Sequence, residues 1–161
     1  MLFRSPATDV VLEADNPTQN SVDLEIPTAN DAVGVISVEN NAPEFFPIGN
    51  TIVTWTATDP DGNIATSIQL VSVTDTTEPT LIVPQDITSE ATGLLGNIVS
   101  LGDVTVEDVS GISSITNNSP ESFPLGDTIV TWTVQDNYGN IAIAEQIVSV
   151  IDTTSPSIVS P

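Results

Sequence analysis

The sequence predicts an all-β fold of two tandem immunoglobulin-like β-sandwich domains. Three observations carry this. The chain repeats itself, its apolar residues alternate with period two, and turn signals recur every 8–12 residues with no amphipathic helical period between them. The repeat is explicit. FPIGNTIVTWTATDPDGNIA starts at Phe46 and FPLGDTIVTWTVQDNYGNIA at Phe123, an offset of 123 − 46 = 77. That offset holds without a gap from Glu13/Glu90 through Asp31/Asp108, Trp55/Trp132 and Gln69/Gln146 to Pro84/Pro161. A constant period over about 70 residues means two copies of one folding unit.

In chain order, copy one predicts strands at Asp9–Ala14, Val22–Ile26 and Gly34–Glu39, and then the strongest, Thr51-Ile-Val-Thr-Trp-Thr-Ala-Thr58. In that last run Val53, Trp55 and Ala57 fall on one face and Ile52, Thr54 and Thr56 on the other, a β-branched, half-buried pattern. Asp59-Pro60-Asp61-Gly62-Asn63 follows. Pro at the second position and Gly at the fourth fit a type I turn with a glycine bulge, hence a tight hairpin. Ile68, Leu70 and Val71 to Val73 form its returning strand. Copy two repeats the pattern at Asp86–Ala91, Asn97–Leu101 and Gly111–Thr116. About seven short strands per copy give one domain over 1–77, a second over 78–155, and a connector strand over 156–161. Ser157-Ile158-Val159-Ser160 reads as the opening strand of a further repeat, while Met1–Ser5 is a poor copy of that strand. The expectation is either a segment of a longer tandem array or a tail that adds to the first domain of another chain as an extra strand.

Composition removes most chemistry. There are 22 Asp and Glu against one basic residue, Arg4, and the net charge is −21. Nucleic acid and anionic membranes are unsuitable partners, because neutralising phosphate needs Lys and Arg. With no His, Cys or Lys, the usual general base, the thiolate and the Schiff-base amine are missing, and so is the lysine of an isopeptide cross-link. No apolar run reaches the ~18 residues of a membrane span. The first residues lack the apolar region of a signal peptide, so a secreted protein would have lost its leader or be a piece of something longer. Asp59 and Asp61 share one turn and cannot flank a glycosidic bond, and copy two keeps only Asp136 there. No enzymatic activity is expected. Asn117-Asn118-Ser119 is a glycosylation sequon weakened by the following Pro120.

The order P-x-D-I-x-x-E-A, F-P-x-G-x-T-x-V-T-W-T, D-x-x-G-N and V-S-V-x-D-T-T-x-P resembles the hyalin repeat (HYR) family. Pro84 to Ile87, Glu90-Ala91, Phe123 to Gly126 and Asp136 to Asn140 carry it in copy two. The resemblance implies immunoglobulin-like sandwiches in extracellular or surface proteins, often in tandem, with adhesion or matrix roles. Many members carry a cysteine in the T-V-T-x-T strand and a partner in an earlier strand. Here those positions are Trp55 and Trp132, and Val38 and Ile115. The expectation is that Trp packed against an aliphatic residue replaces a cross-sheet disulfide; an aromatic ligand platform is the alternative.

The acids suggest calcium, which takes 6–8 oxygen ligands and needs neither His nor Cys. Topology puts Asp75 at the end of copy one, and the hairpin residues Asp136 and Asn140 with Glu107 and Asp108 at the start of copy two. The equivalent residues elsewhere are Asp152 at the far end and Asp31, Asp59, Asp61 and Asn63 at the near end. Ca²⁺ held by these residues would stiffen the joint, and chains stacked head to tail would rebuild the same site between them. The competing reading makes them turn formers and linker residues. Two functions follow: a subunit or segment of a calcium-stabilised surface filament or stalk, assembled from copies of itself or from neighbouring repeats, or a cell-surface adhesion module that binds a protein or glycan.

Overall fold

A computed structural model of the chain describes residues 2–3, 7–93 and 96–159. It divides into two compact units, Met1–Thr76 and Thr77–Pro161. Unit 1 contains β1 (Leu2–Phe3), β2 (Val10–Glu13), β3 (Ala29–Asn30), β4 (Ser37–Asn40), β5 (Gly49–Thr58) and β6 (Ile64–Thr74). Unit 2 contains β7 (Thr80–Ile82), β8 (Ile87–Glu90), β9 (Thr105–Glu107), β10 (Ile112–Asn117), β11 (Gly126–Asp136) and β12 (Ile141–Ile151). Among the described residues there is no helix. Each unit is an immunoglobulin-like sandwich built from a four-stranded and a two-stranded sheet. The orders are β2-β6-β5-β4 with β1-β3, and β8-β12-β11-β10 with β7-β9. The opening strand of each large sheet runs parallel to the last strand, and the other pairs are antiparallel.

The long hairpins form as the alternation predicts. In β5, Val53, Trp55 and Ala57 are buried, and Val71 and Val73 of β6 are too. The turn between them closes through Gly62 N–H to Asp59 C=O at 3.1 Å and Asp59 N–H to Asn63 C=O at 3.0 Å. Gly62 has φ +83°, the left-handed bulge position that glycine takes without steric cost. In unit 2, Phe123, Val130, Trp132, Val148 and Val150 make the core, and Leu81 of β7, Ile87, Val99, Leu101 and Val104 pack on it.

Two expected strands do not form. Val22–Ile26 and Asn97–Leu101 have no ladder; the nearest pairings are the isolated bridges Asn20↔Phe46 and Asn97↔Phe123. Both segments are extended, and their burial still alternates: Val22 and Leu24, or Val99 and Leu101, turn inward. In Asn97–Leu101 a side chain meets a backbone group in place of a neighbouring strand, and in copy one Asn20 ties the turn ahead of Val22–Ile26. Leu101 C=O accepts from Gln146 Nε2 at 3.1 Å. Buried Asn20 accepts from Asp15 and Asn16 N–H and donates to Asn16 and Phe46 C=O. The short strands β3 and β9, which periodicity did not single out, supply the pairing.

The expected tryptophan arrangement also changes. Val38 lies on β4 opposite Ala57 of β5, and Ile115 on β10 opposite Val134 of β11. Each is a diagonal neighbour of its Trp within one sheet and does not face it across the sandwich. Trp55 is 1% exposed. That fits a core role, since a large buried side chain contributes about 3 kcal/mol.

Pro156–Val159 form no strand within this chain. Met1 and Arg4–Pro6 of the opening segment, and Ser160 and Pro161 of the connector, lie outside the described residues.

Candidate functional site

The hairpin acids form a preorganised cage in each unit. Asp59 is 3% exposed. Its Oδ1 accepts from the backbone N–H of Asp61 at 2.9 Å and of Asn63 at 2.8 Å, and its Oδ2 from Asn63 Nδ2 at 2.9 Å. Asp136 repeats this with Tyr138 N–H, Asn140 N–H and Asn140 Nδ2 at 2.8, 2.9 and 2.6 Å. The bond from Asn63, with the backbone amides behind it, holds Asp59 below the ordinary carboxylate range. For Asp136, burial pushes upward, and the bonds from Asn140 and the turn amides outweigh it, so the carboxyl is lowered too. These turns keep an ionised carboxylate at a buried position. Asp61 and Asn63 are exposed, and Asn140 is half-buried.

A second acid joins each cage. In unit 2 a carboxylate oxygen of Asp108 lies within 4.8 Å of one from Asp136. Asp108 Oδ1 accepts from Ser110 N–H at 2.8 Å and Ser110 Oγ at 2.7 Å. Its counterpart Asp31 accepts from Val33 N–H, which lowers its pKa against smaller upward pushes from desolvation and then from the charge of Asp59. Glu107 closes β9 opposite Thr80 and is exposed.

The other predicted residues stand at the opposite end of each unit. Asp75 follows β6 and Asp152 follows β12. An eleven-residue strand separates the hairpin from this end, about 35 Å at ~3.3 Å per residue. One unit therefore cannot bring its hairpin acids and its terminal Asp to the same ion.

Sequence reasoning missed what holds the segment that follows the terminal Asp. Glu13, at the end of β2, accepts from Thr76 N–H at 2.6 Å and Thr76 Oγ1 at 2.9 Å. Glu90 does the same for Thr153 at 2.7 and 2.8 Å and adds Thr154 Oγ1 at 2.9 Å. Those bonds, from Thr153 first, lower the Glu90 pKa. The E-A and D-T-T motifs are thus two halves of one clasp, and their recurrence at a fixed separation of 63 residues was the available signal. The sequon residue Asn117 is exposed at the end of β10, and its Oδ1 accepts from Ser119 N–H at 3.0 Å.

Known proteins place the chain. The HYR domain model matches twice, over residues 8–73 and 74–150. Hyalin of Lytechinus variegatus is 38% identical over 147 residues, 84% of this chain and 28% of the hyalin. Hyalin of Strongylocentrotus purpuratus is 36% identical over 167 residues, 95% of this chain and 14% of the hyalin. The chain thus spans under a third of either relative. Among solved structures, the protocadherin gammaB7 EC3-6 cis-dimer aligns with TM-score 0.43 and 12% identity, over 95% of this chain and 47% of that one. Fibronectin(III)-like modules of Clostridium thermocellum CbhA align with TM-score 0.37 and 14% identity, over 99% of each chain. The two HYR matches together cover residues 8–150, and on them the chain belongs to the HYR domain family as two tandem copies.

Proposed function

We propose that the chain is an extracellular structural protein, or a segment of one, whose HYR units join end to end through Ca²⁺ into a surface filament or stalk. The observation that carries this is the polarity of each unit. A preorganised pair, Asp31 with Asp59 or Asp108 with Asp136, stands at the hairpin end. A clasped Asp75 or Asp152 stands about 35 Å away at the other end. Oxygen ligands of this kind suit Ca²⁺, and extracellular modules hold it at roughly 10⁻⁴–10⁻³ M. With Asp75 completing the Asp108 and Asp136 set, an ion would tie successive units. With Asp152 meeting Asp31 and Asp59 of another copy, the same chemistry would extend the array. Asp61, Asn63, Glu107 and Asn140 supply further oxygens nearby. At about tenfold over Kd, the ion adds roughly 1.4 kcal/mol to stability. The hyalin relatives support a matrix setting, and nothing in the residue inventory favours catalysis.

A second reading is supported by the outer faces of the large sheets. Ile52 and Ile68 in unit 1, and Ile129 and Ile143 in unit 2, are each more than half exposed, a surface an adhesion partner could cover. The deciding experiment is electron microscopy of the purified protein in millimolar Ca²⁺ and in EDTA, with calorimetric titration of Ca²⁺. Polymers with a two-unit axial repeat that vanish in chelator support the filament. Monodisperse particles in both conditions, with no binding heat, overturn it and leave adhesion.

A further inference from the structure

The outer face of the large sheet in unit 1 carries no charge along its two long strands. In β5 and β6 the odd-numbered residues turn inward, Val53, Trp55 and Ala57 on one strand and Gln69, Val71 and Val73 on the other. The even-numbered residues, 50–58 and 64–74, turn outward, and each is Asn, Ser, Thr, Leu or Ile. Ile52, Ile64 and Ile68 are 64%, 66% and 68% exposed there. Val11 of the neighbouring β2 lies opposite Ser72, is 72% exposed, and extends the same face. Acids stand only at the margins: Asp9 and Glu13 bracket β2 at one edge, and Glu39 lies on β4 at the other.

Unit 2 shows what this surface looks like with charge on it. Its equivalent positions hold Glu145, since 145 − 77 = 68, and Asp127, since 127 − 77 = 50. Both are exposed, and Glu145 stands opposite Thr131 as Ile68 does opposite Thr54. The sheet therefore forms with either residue, and folding does not require isoleucine at position 68. Two chains of net charge −21 repel one another and approach most easily where both surfaces are neutral. A foreign partner matched to so acidic a chain would bring Lys and Arg, which find nothing to pair with on this face. A second copy brings the same uncharged face, and a two-fold arrangement sets Ile and Thr of one copy against Ile and Thr of the other. At ~3.3 Å per residue along the strands and ~4.8 Å between them, the face covers about 500 Å² per copy, on the order of 1,000 Å² for the pair. That is the lower end for a specific contact, and an apolar centre with a charged margin is the anatomy of one. We propose that unit 1 pairs face to face with unit 1 of a second copy through the outer surface of β5 and β6, with Ile52 and Ile68 at its centre. The two sheets stack about 10 Å apart, as sheets in sandwiches do. This goes beyond the end-to-end reading, since the contact joins chains side by side and needs no ion. Unlike a contact with a basic partner, it tightens as salt screens the marginal acids.

Analytical ultracentrifugation in EDTA, at up to about 0.5 mM chain, reaches the range of a weak interface. The wild type is expected to form a concentration-dependent dimer whose association constant rises several-fold between low salt and ~0.5 M NaCl. Ile68→Glu copies what unit 2 already carries at Glu145, so the unit should still fold. It sets like charges against each other across a two-fold contact and should lower the association constant at least a hundredfold. Ile68→Thr, which keeps a β-branched strand residue, should lower it about tenfold. Ile143→Glu adds the same charge to the face of unit 2 and should leave the dimer unchanged. Unchanged melting temperatures in dilute solution exclude misfolding as the cause. A wild type that stays monomeric at every salt concentration overturns the proposal and leaves the face to a foreign partner. Equal weakening by Ile68→Glu and Ile143→Glu overturns it too. Calcium-dependent polymers that persist in Ile68→Glu while the dimer is lost support both readings as separate contacts. A dimer in EDTA without calcium-dependent polymers supports the face contact and overturns the end-to-end one.

Discussion

Trp55 donates its indole Nε1–H to Oε1 of Gln69 at 2.9 Å, and Trp132 repeats the bond to Gln146 at 3.3 Å. Both partners in unit 1 are at most 2% exposed. The glutamine amide completes the link by donating to a backbone carbonyl that no strand reaches: Thr8 in unit 1, Gln85 and Leu101 in unit 2. One polar side chain thus satisfies the buried indole and ties the segment preceding β2 or β8 to the core. Removing it strands a buried donor, which costs the desolvation of that group.

Gln69→Leu is therefore expected to destabilise unit 1 by about 1–3 kcal/mol, although leucine is more apolar and of similar size. Urea unfolding followed by Trp55 fluorescence, in a Trp132→Phe background, measures it. A neutral or stabilising effect would mean that the bond is incidental to the packing.

Clasp residues come next. Glu90 receives three hydrogen bonds from Thr153 and Thr154, two of them from hydroxyls. Glu90→Ala should release this segment without unfolding the sheet. Amide exchange at Thr153 is expected to quicken at least several-fold while Val148 and Val150, buried in the ladder, stay protected. Equal quickening at all three would show that Glu90 supports the whole unit. Because Glu13 bonds Thr76 in the same way, Glu13→Ala is the matching test beside Asp75.

Much of this fold was legible. Alternation alone located β5 and β11, because Val53, Trp55 and Ala57 sit in strands paired on both sides and buried on one face. Pro60 and Gly62 fixed the turn, since few other turns accept that pair. The second layer was not legible. Val22–Ile26 alternates as a strand does, yet it forms no ladder, because periodicity reports burial, not pairing. Of the candidate site, Asp59 and Asp136 were found through their turn motif. The Glu13 and Glu90 clasps depend on contacts 63 residues apart, which no local pattern encodes.

Acid should unfold the protein through identifiable groups. Asp59, Asp136 and Glu90 all titrate below their ordinary values of 3.8 and 4.5 in the folded state. A depressed folded pKa adds stability that is fully present above the unfolded value and is lost as pH falls through the folded one. Relief of self-repulsion among 22 acids acts in the opposite direction over the same range. Comparison with variants separates the two. The stability gap between the wild type and Glu90→Gln, or Asp136→Asn, should be constant above about pH 5 and should narrow as pH falls below about 4. Urea midpoints from pH 7 to pH 3 provide the measurement, and a gap that does not narrow between pH 5 and pH 3 would exclude these carboxylates as the source.

Gly96 offers the sharpest steric test. Its φ is +88°, and an added Cβ would lie 2.5 Å from Phe123 C=O and 2.6 Å from Ser122 Oγ. That carbonyl accepts the Asn97 N–H at 2.9 Å in the bridge that replaces the missing strand. Its oxygen cannot retreat without breaking the bridge. Gly49, at φ +119°, has no atom within 4 Å of the same position, so Gly49→Ala meets backbone strain alone, about 1–2 kcal/mol. Gly96→Ala adds the clash and should cost about 3 kcal/mol or more, all of it in unit 2. Unfolding monitored separately through Trp55 and Trp132 should show the second unit melting first. Equal losses for the two substitutions would mean that the Asn97–Phe123 bridge yields freely and does not anchor the extended segment against the core.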